Sequence, residues 1–308
     1  AKGDFSYRAL EQTLAEEDDR LGKAFGPVGH LNAVAQNEAL REAYNACLPL
    51  LSEYGTEVGQ NADLFAAYQA LRESDEFQRL SPAGQKDIDN TLRDFRLSGV
   101  ALSGEQKKQY MENAKRLSEL TTRYENNLLD ATQAWKKHVT DESELEGVPE
   151  TALAGAADRA RAEGLEEGWL LTLDVPVFLA VMSHARNRAL REEMYRAFTT
   201  RASDQGPHAG EYDNAAIMDE ILKLRHEQAI LLGFANYAEE SLATKMARDV
   251  DEVMTFLHDR ARRAKPQAEQ ELAELKAFAA EQGAGDVRPW DLGFWSERLR
   301  EARYDLSE

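Results

Sequence analysis

A long apolar seam beginning shortly after Ser103 constrains this chain more than any other feature. Tyr110, Ala114, Leu117, Thr121, Tyr124, Leu128, Ala131 and Trp135 follow one another at alternating spacings of four and three. A period of 3.5 residues marks a long helix whose one face lies along other helices, as in antiparallel helix pairs. All but Thr121 are apolar. Ser103 and Gln106 form the S-x-x-Q pattern of a capping box, so the helix is predicted to start there.

Two further helices follow from the same reasoning. One is predicted from about Asn214 to Leu232, with Ile217, Ile221, Leu224 and Leu231 on one face and Gln228 interrupting it. The other runs from about Val250 to Glu281 along Val253, Leu257, Ala261, Ala264, Ala268, Leu272 and Leu275. Shorter helices are expected at 7–25, 37–59, 62–73, 82–98, 149–163, 187–202 and 291–304. The prolines mark boundaries in this reading, because a helix interior tolerates proline poorly. Pro49 and Pro266 are the two read as kinks inside helices. Lys137–Thr140 and Trp169–Leu173 differ from the rest. They are short and rich in β-branched and aromatic residues, and are predicted to pair as antiparallel strands around one inserted helix. The segment Glu142–Glu167, rich in Ala, Gly and Glu, is expected to be a mobile excursion. The expected fold class is all-α, mainly long antiparallel helices, with one small antiparallel strand pair.

Charge narrows the partners. With 37 basic and 56 acidic residues among 308, the net charge is −19. A phosphate-binding face needs clustered Lys and Arg, so neither nucleic acid nor an anionic membrane is expected as a partner. No apolar run approaches the ~18 residues of a membrane span. Cys47 is the only cysteine. No internal disulfide is possible, and a reducing, cytoplasmic setting is expected. Cys47 lies among Tyr44, Leu48, Leu50 and Leu51, and is expected to be a buried, inert thiol. The chain starts at Ala1 without a signal peptide and stops at Asp305-Leu306-Ser307-Glu308 inside a charged helical pattern, so both ends are expected to be cuts.

The residues offer little chemistry of their own. A zinc-peptidase helix needs H-E-x-x-H, which sets two His on one face with a Glu to activate water. His226-Glu227-Gln228-Ala229-Ile230 begins that way and ends in Ile230, so it reads as a helix-surface pair. The other histidines, 30, 138, 184, 208 and 258, do not pair at metal-ligand spacing. There is no G-x-S-x-G, no P-loop and no G-x-G-x-x-G. Acidic pairs such as Asp18-Asp19 and Glu192-Glu193 read as solvated helix faces. The loop Thr200–His208 is dense in polar side chains. It is either a substrate-contacting or bridging loop, or a set of caps and turns broken by Gly206-Pro207.

A series of tracts carries a family resemblance. They are Leu50–Tyr54 with Val58-Gly59-Gln60, Leu92–Phe95 with Leu97-Ser98-Gly99, Arg116–Leu120 with Asn126–Thr132, and Arg191–Ala197 leading to Thr200–Pro207. The longest is Leu222–Met246, with Leu231-Leu232-Gly233-Phe234 and Ser241–Met246 inside it, and Pro289-Trp290-Asp291 completes the set. In these the chain resembles the thimet-oligopeptidase family of zinc metallopeptidases, and most of all its oligopeptidase A branch, over nearly its whole length. The resemblance implies a helical fold of two lobes around a deep channel that admits short peptides. It implies one zinc ion in the complete enzyme, held by H-E-x-x-H and a later Glu in a C-terminal catalytic half, the expected packing partner of this chain. No position here matches those motifs, so no catalytic, cofactor-binding or metal residue carries over, and this chain by itself is expected to be inactive. Residues 1–308 would form an N-terminal helical lobe, with a helical bundle at 1–135 and the strand pair plus helices at 136–308. The alternatives are a non-catalytic helical protein that binds peptides or a partner, and the dipeptidyl carboxypeptidase branch.

Overall fold

The computed structural model describes residues 5–35 and 37–305; residues 1–4 and 306–308, where the two ends were read as cuts, lie outside them. In chain order the helices and strands are α1 (Tyr7–Val34), α2 (Glu38–Gly59), α3 (Ala62–Arg72), α4 (Asp75–Arg79), α5 (Pro82–Leu97), α6 (Gly104–Ala134), β1 (Lys136–Val139), α7 (Glu150–Ala162), β2 (Trp169–Thr172), α8 (Val175–His184), α9 (Arg188–Thr199), α10 (Ala215–Leu231), α11 (Tyr237–Leu242), α12 (Val250–Glu281) and α13 (Leu292–Tyr304). The fold is mainly α with one strand pair, as the periodicities predict. The short helices α4, α8 and α11 were not foreseen, because one to three turns give too little period to read.

Helix starts are set by side-chain caps. The Leu40 N–H donates to Asn37 (2.9 Å), Leu64 to Asn61 (2.9 Å), Gly84 to Ser81 (3.2 Å) and Leu190 to Asn187 (3.2 Å). Each satisfies a donor that the first turn leaves without a helical partner. Pro82 stands at the first position of α5, where its missing N–H costs nothing. Pro27 departs from the expected boundary: α1 continues through it to Val34. An interior proline costs ~3 kcal/mol. Packing against α2 offsets it, with the Phe25 and Tyr44 rings stacked at 5.5 Å and Gly29 lying close beside the Tyr44 ring. Pro49 and Pro266 do lie inside helices. Cys47, expected inside, is exposed. It stands within about 60° of Tyr44 and Leu51 on α2, but no residue of that helix is buried, so its apolar face is only partly covered.

The chain divides into two compact units, Ala1–Arg123 with Asp219–Val250, and Tyr124–Met218 with Asp251–Glu308. The core of the first gathers Leu10, Tyr68, Leu71, Phe77, Ile88 and Phe95 from α1, α3, α4 and α5. The core of the second gathers Trp135, Val139, Leu171, Val181, Leu190 and Met194 around the strand pair. The α6 seam is where the 3.5-residue period puts it: Tyr110, Ala131 and Trp135 are buried, and Ala114, Leu117, Thr121, Tyr124 and Leu128 half-buried. The Thr121 hydroxyl donates to the Leu117 carbonyl (2.8 Å), which lets a polar residue sit in that face.

β1 and β2 pair antiparallel, Lys136 opposite Thr172 and Val139 opposite Trp169. The excursion between them is not loose. Leu145, Val148 and Ala156 are buried in the second core, so small residues here mark close packing rather than mobility. Gly168 turns the chain into β2 at φ +85°, and a Cβ there would stand 2.3 Å from the Val139 carbonyl oxygen. Gly168→Ala is therefore expected to lower stability by more than about 1 kcal/mol. Gly155→Ala, on the exposed side of α7 with open space around it, is expected to raise it by ~0.5–1 kcal/mol. Urea denaturation of the two variants checks the opposite signs.

Candidate functional site

The polar side chains that the fold removes from water gather at a few junctions. The strongest is in the second unit, around Asp291, which is 1% exposed. Pro289-Trp290-Asp291 form a single 3-10 turn ahead of α13, and the turn rests against the start of α9. Arg188 donates from Nε to both Asp291 oxygens (3.1 Å each) and from Nη2 to Oδ2 (2.7 Å). Arg191 donates from Nη2 to Oδ1 (2.8 Å), and the Arg288 N–H to Oδ2 (3.0 Å). Arg191, itself buried, also donates to the carbonyls of Ala185 (2.7 Å) and Trp290 (3.3 Å), and its guanidinium lies 4.3 Å from the centre of the Phe294 ring. Residues a hundred positions apart are locked together by one carboxylate.

Burial works to raise the Asp291 carboxyl, but the Arg188, Arg288 and Arg191 donors outweigh it and hold it below the ordinary carboxylate range. The two arginines shift in opposite directions. Burial presses Arg191 down against the pull of Asp291, while Arg188, more than half of it in water, is raised by its bonds to that carboxylate. Both stay cationic, since guanidinium does not lose its proton in proteins.

A second junction fixes the loop that the sequence singled out. Asn214, also buried, accepts from Asn127 Nδ2 (2.9 Å), donates to the Tyr124 carbonyl (3.0 Å) and bonds the Ala202 carbonyl through its N–H (3.1 Å). Arg201 lies over the Phe198 ring at 3.6 Å and donates to Thr132 Oγ1 (3.0 Å). Ser203 Oγ donates to the Thr200 carbonyl (2.8 Å) and accepts from the Gln205 N–H (3.2 Å). His208 bonds Glu211 (3.0 Å) at the surface. Ser203 bonds inside the loop, while Thr200, Arg201 and His208 tie it to α9, α6 and Glu211.

Two junctions lie in the first unit. Tyr110 donates its hydroxyl to the Leu97 carbonyl (3.0 Å), and Lys107 donates to that of Gln60 (3.1 Å). Gly59 sits so close to Ser98 that a Cβ there would meet its side chain at 2.5 Å. Burial raises the Tyr110 phenol, and a hydrogen bond with Gln228 opposes this. That bond accounts for the polar break in the apolar face of α10. Near the N-terminus, Tyr7 donates to Asp87 (3.0 Å). Burial and a bond with Glu11 push the Tyr68 phenol far up, while burial raises Glu11 against the effect of that same bond.

These junctions are built largely from the tracts that carry the resemblance: Gly59-Gln60, Ser98-Gly99, Asn127, Arg191, Thr200–Pro207 and Trp290-Asp291. Asp291 with Arg188, and Asn214 with Asn127, were not foreseen as pairs. Asp291 and Asn127 belong to those tracts, whereas Arg188 and Asn214 lie outside them and no spacing marked either. The arrangement can hold a scaffold in register. His226 is exposed on α10, Glu227 lies 3.9 Å from Lys223, and Ile230 stands where a second His ligand would be. Among the described residues, no three His, Cys, Asp or Glu side chains are placed to hold a metal ion. No described helix is long and apolar enough to cross a membrane.

Comparison with known proteins agrees with the resemblance. Residues 4–107 match the model of the neurolysin/thimet oligopeptidase N-terminal domain, and residues 181–308 that of peptidase family M3. The oligopeptidases A of Salmonella typhimurium and Escherichia coli are each 55% identical to the chain over 305 residues, 99% of this chain and 45% of theirs. The dipeptidyl carboxypeptidase of Escherichia coli is 28% identical over 306 residues, again 99% of this chain and 44% of the relative. The chain spans a little under half the length of these relatives.

Removing the carboxylate leaves the buried Arg191 with an uncompensated charge. Asp291→Ala is expected to cost ~3–5 kcal/mol in urea denaturation. Because the Asp291 carboxyl is held low, its contribution is present above the ordinary value of ~3.9 and is lost as pH falls through the depressed one. The stability gap between wild type and Asp291→Asn should therefore be constant from pH 7 to 5 and close in stronger acid. A gap that stays constant into strong acid would contradict this.

Proposed function

We propose that the chain belongs to peptidase family M3, whose models match residues 4–107 and 181–308, and that it is the N-terminal part of a zinc endopeptidase of the oligopeptidase A type. The complete enzyme would hydrolyse internal bonds of short peptides in the cytoplasm. The observation that carries the reading is 55% identity to oligopeptidase A across 305 consecutive aligned residues, taking in both units of the fold. Identity near 28% to a dipeptidyl carboxypeptidase over the same stretch favours the endopeptidase branch.

In this reading residues 1–308 contribute a helical lobe, and the zinc ligands belong to the rest of the polypeptide. His226 and Glu227 stay a helix-surface pair. The lobe's own part is mechanical: buried junctions at Asp291, Asn214 and Tyr110 keep long helices in place so that a channel wall keeps its shape. Short peptides are the substrates and the catalytic half the partner. A net charge of −19 disfavours nucleic acid and anionic membranes. The reading of a free-standing peptide-binding protein is less well supported, because such a protein should cover its apolar faces, and α12 leaves one exposed.

The test is hydrolysis of a quenched-fluorescent short peptide with zinc added, by the 308-residue chain and by the full-length protein. Cleavage is expected from the full-length protein alone, abolished by a chelator, with products showing an internal cut. Zinc-dependent cleavage by the 308-residue chain would refute the assignment. Release of C-terminal dipeptides only would move the protein to the carboxypeptidase branch.

A further inference from the structure

The apolar series that the sequence places on α12 is uncovered over most of its length. Val253, Leu257, Ala261, Ala264, Ala268 and Leu272 repeat at spacings of four, four and three. Leu257 is 52% exposed, Leu272 39%, and the three alanines are exposed as well. Leu275, next in the series, is buried. An eleven-residue period sets positions 253, 264 and 275 in line along a straight or slightly right-handed path. At 1.5 Å per residue the face runs about 33 Å. Its C-terminal end opens into a groove between α12 and α13, lined by Leu272, Leu275, Leu292, Leu299 and Tyr304. Single exposed apolar residues are ordinary, but a period-matched stripe continuous with a groove marks a binding face.

Chemistry and length decide the occupant. Basic residues beside the stripe are engaged on α12 itself: Arg262 and Arg263 with Asp259 (2.6 and 2.9 Å), and Lys265 with Glu269 (3.8 Å). The face therefore recognises apolar surface rather than charge. Its stripes recur once per helical turn, which matches the ridges of another helix and not the ~3.3 Å residue spacing of an extended peptide. Three alanines at its centre let a second backbone come near. The matched relatives carry more than half of their length outside the matched stretch.

We propose that this face of α12, with the groove at its end, seats an amphipathic helix from the part of the full-length protein outside these 308 residues. The larger apolar residues of that helix lie against Ala261, Ala264 and Ala268. The proposal rests on the reading that the chain is part of a longer peptidase.

Maleimide labelling of single cysteines tests it, read by peptide mass mapping in a Cys47→Ser background. Ala264→Cys lies on the face; Arg262→Cys lies about 200° around the helix. Ala268→Cys repeats the test if Ala264→Cys fails to fold. In the full-length protein, position 264 should label at least tenfold more slowly than in the 308-residue chain, with position 262 equally reactive in both. Equal labelling at 264 in both proteins would overturn the proposal. So would protection that appears only when a non-hydrolysable short peptide is added, which would make the face a peptide wall. Protection in the 308-residue chain that grows with its concentration would assign the face to a second copy. Peptide cleavage by the same full-length sample separates the two readings. Activity with an open 264 removes the docked helix alone, and a protected 264 without activity removes the peptidase alone.

Discussion

One buried carboxylate organises the second unit. Asp291 reaches five hydrogen bonds from three residues, among them arginines a hundred positions earlier in the chain. A carboxylate out of water is costly unless paired and fully bonded. Once it is paired, α9, the turn before α13 and the carbonyl at the end of α8 must hold one arrangement. Arg191 extends the constraint by donating to Ala185 and stacking on Phe294. Asn214 does the same for the loop after α9 without any charge.

These junctions give the tracts that carry the resemblance a structural meaning. Polar residues such as Arg191, Asn127 and Asp291 look like catalytic candidates in a sequence. Here each spends its hydrogen bonds inside the protein. In the proposed reading the chemistry belongs to the rest of the polypeptide, and these junctions keep the scaffold in register.

The long helices were legible because an apolar period survives over many turns. The α6 seam, the strand pair and the breaks near Asn37, Asn61, Ser81 and Asn187 follow from local rules that the structure obeys. Pro27 and Cys47 were misread for one reason. Local composition says that a helix is there, but its partner decides whether it runs through a proline and which face is covered. Phe25 on Tyr44 settled the first, and the incomplete cover of α2 the second. Glu142–Glu167 was misread because small residues serve tight packing as well as looseness. Asp291 with Arg191 was illegible because no local rule links residues a hundred apart. Gln228 was visible as a polar break but intelligible only beside Tyr110.

In the proposed reading the family tracts of this chain hold the scaffold and leave the chemistry to the rest of the polypeptide. The most direct test is Asp291→Asn in the full-length protein, with peptide hydrolysis measured per folded molecule well below the melting temperature. The account predicts a lower Tm with kcat nearly unchanged. A kcat reduced a hundredfold at unchanged Tm would place Asp291 in the chemistry and contradict it.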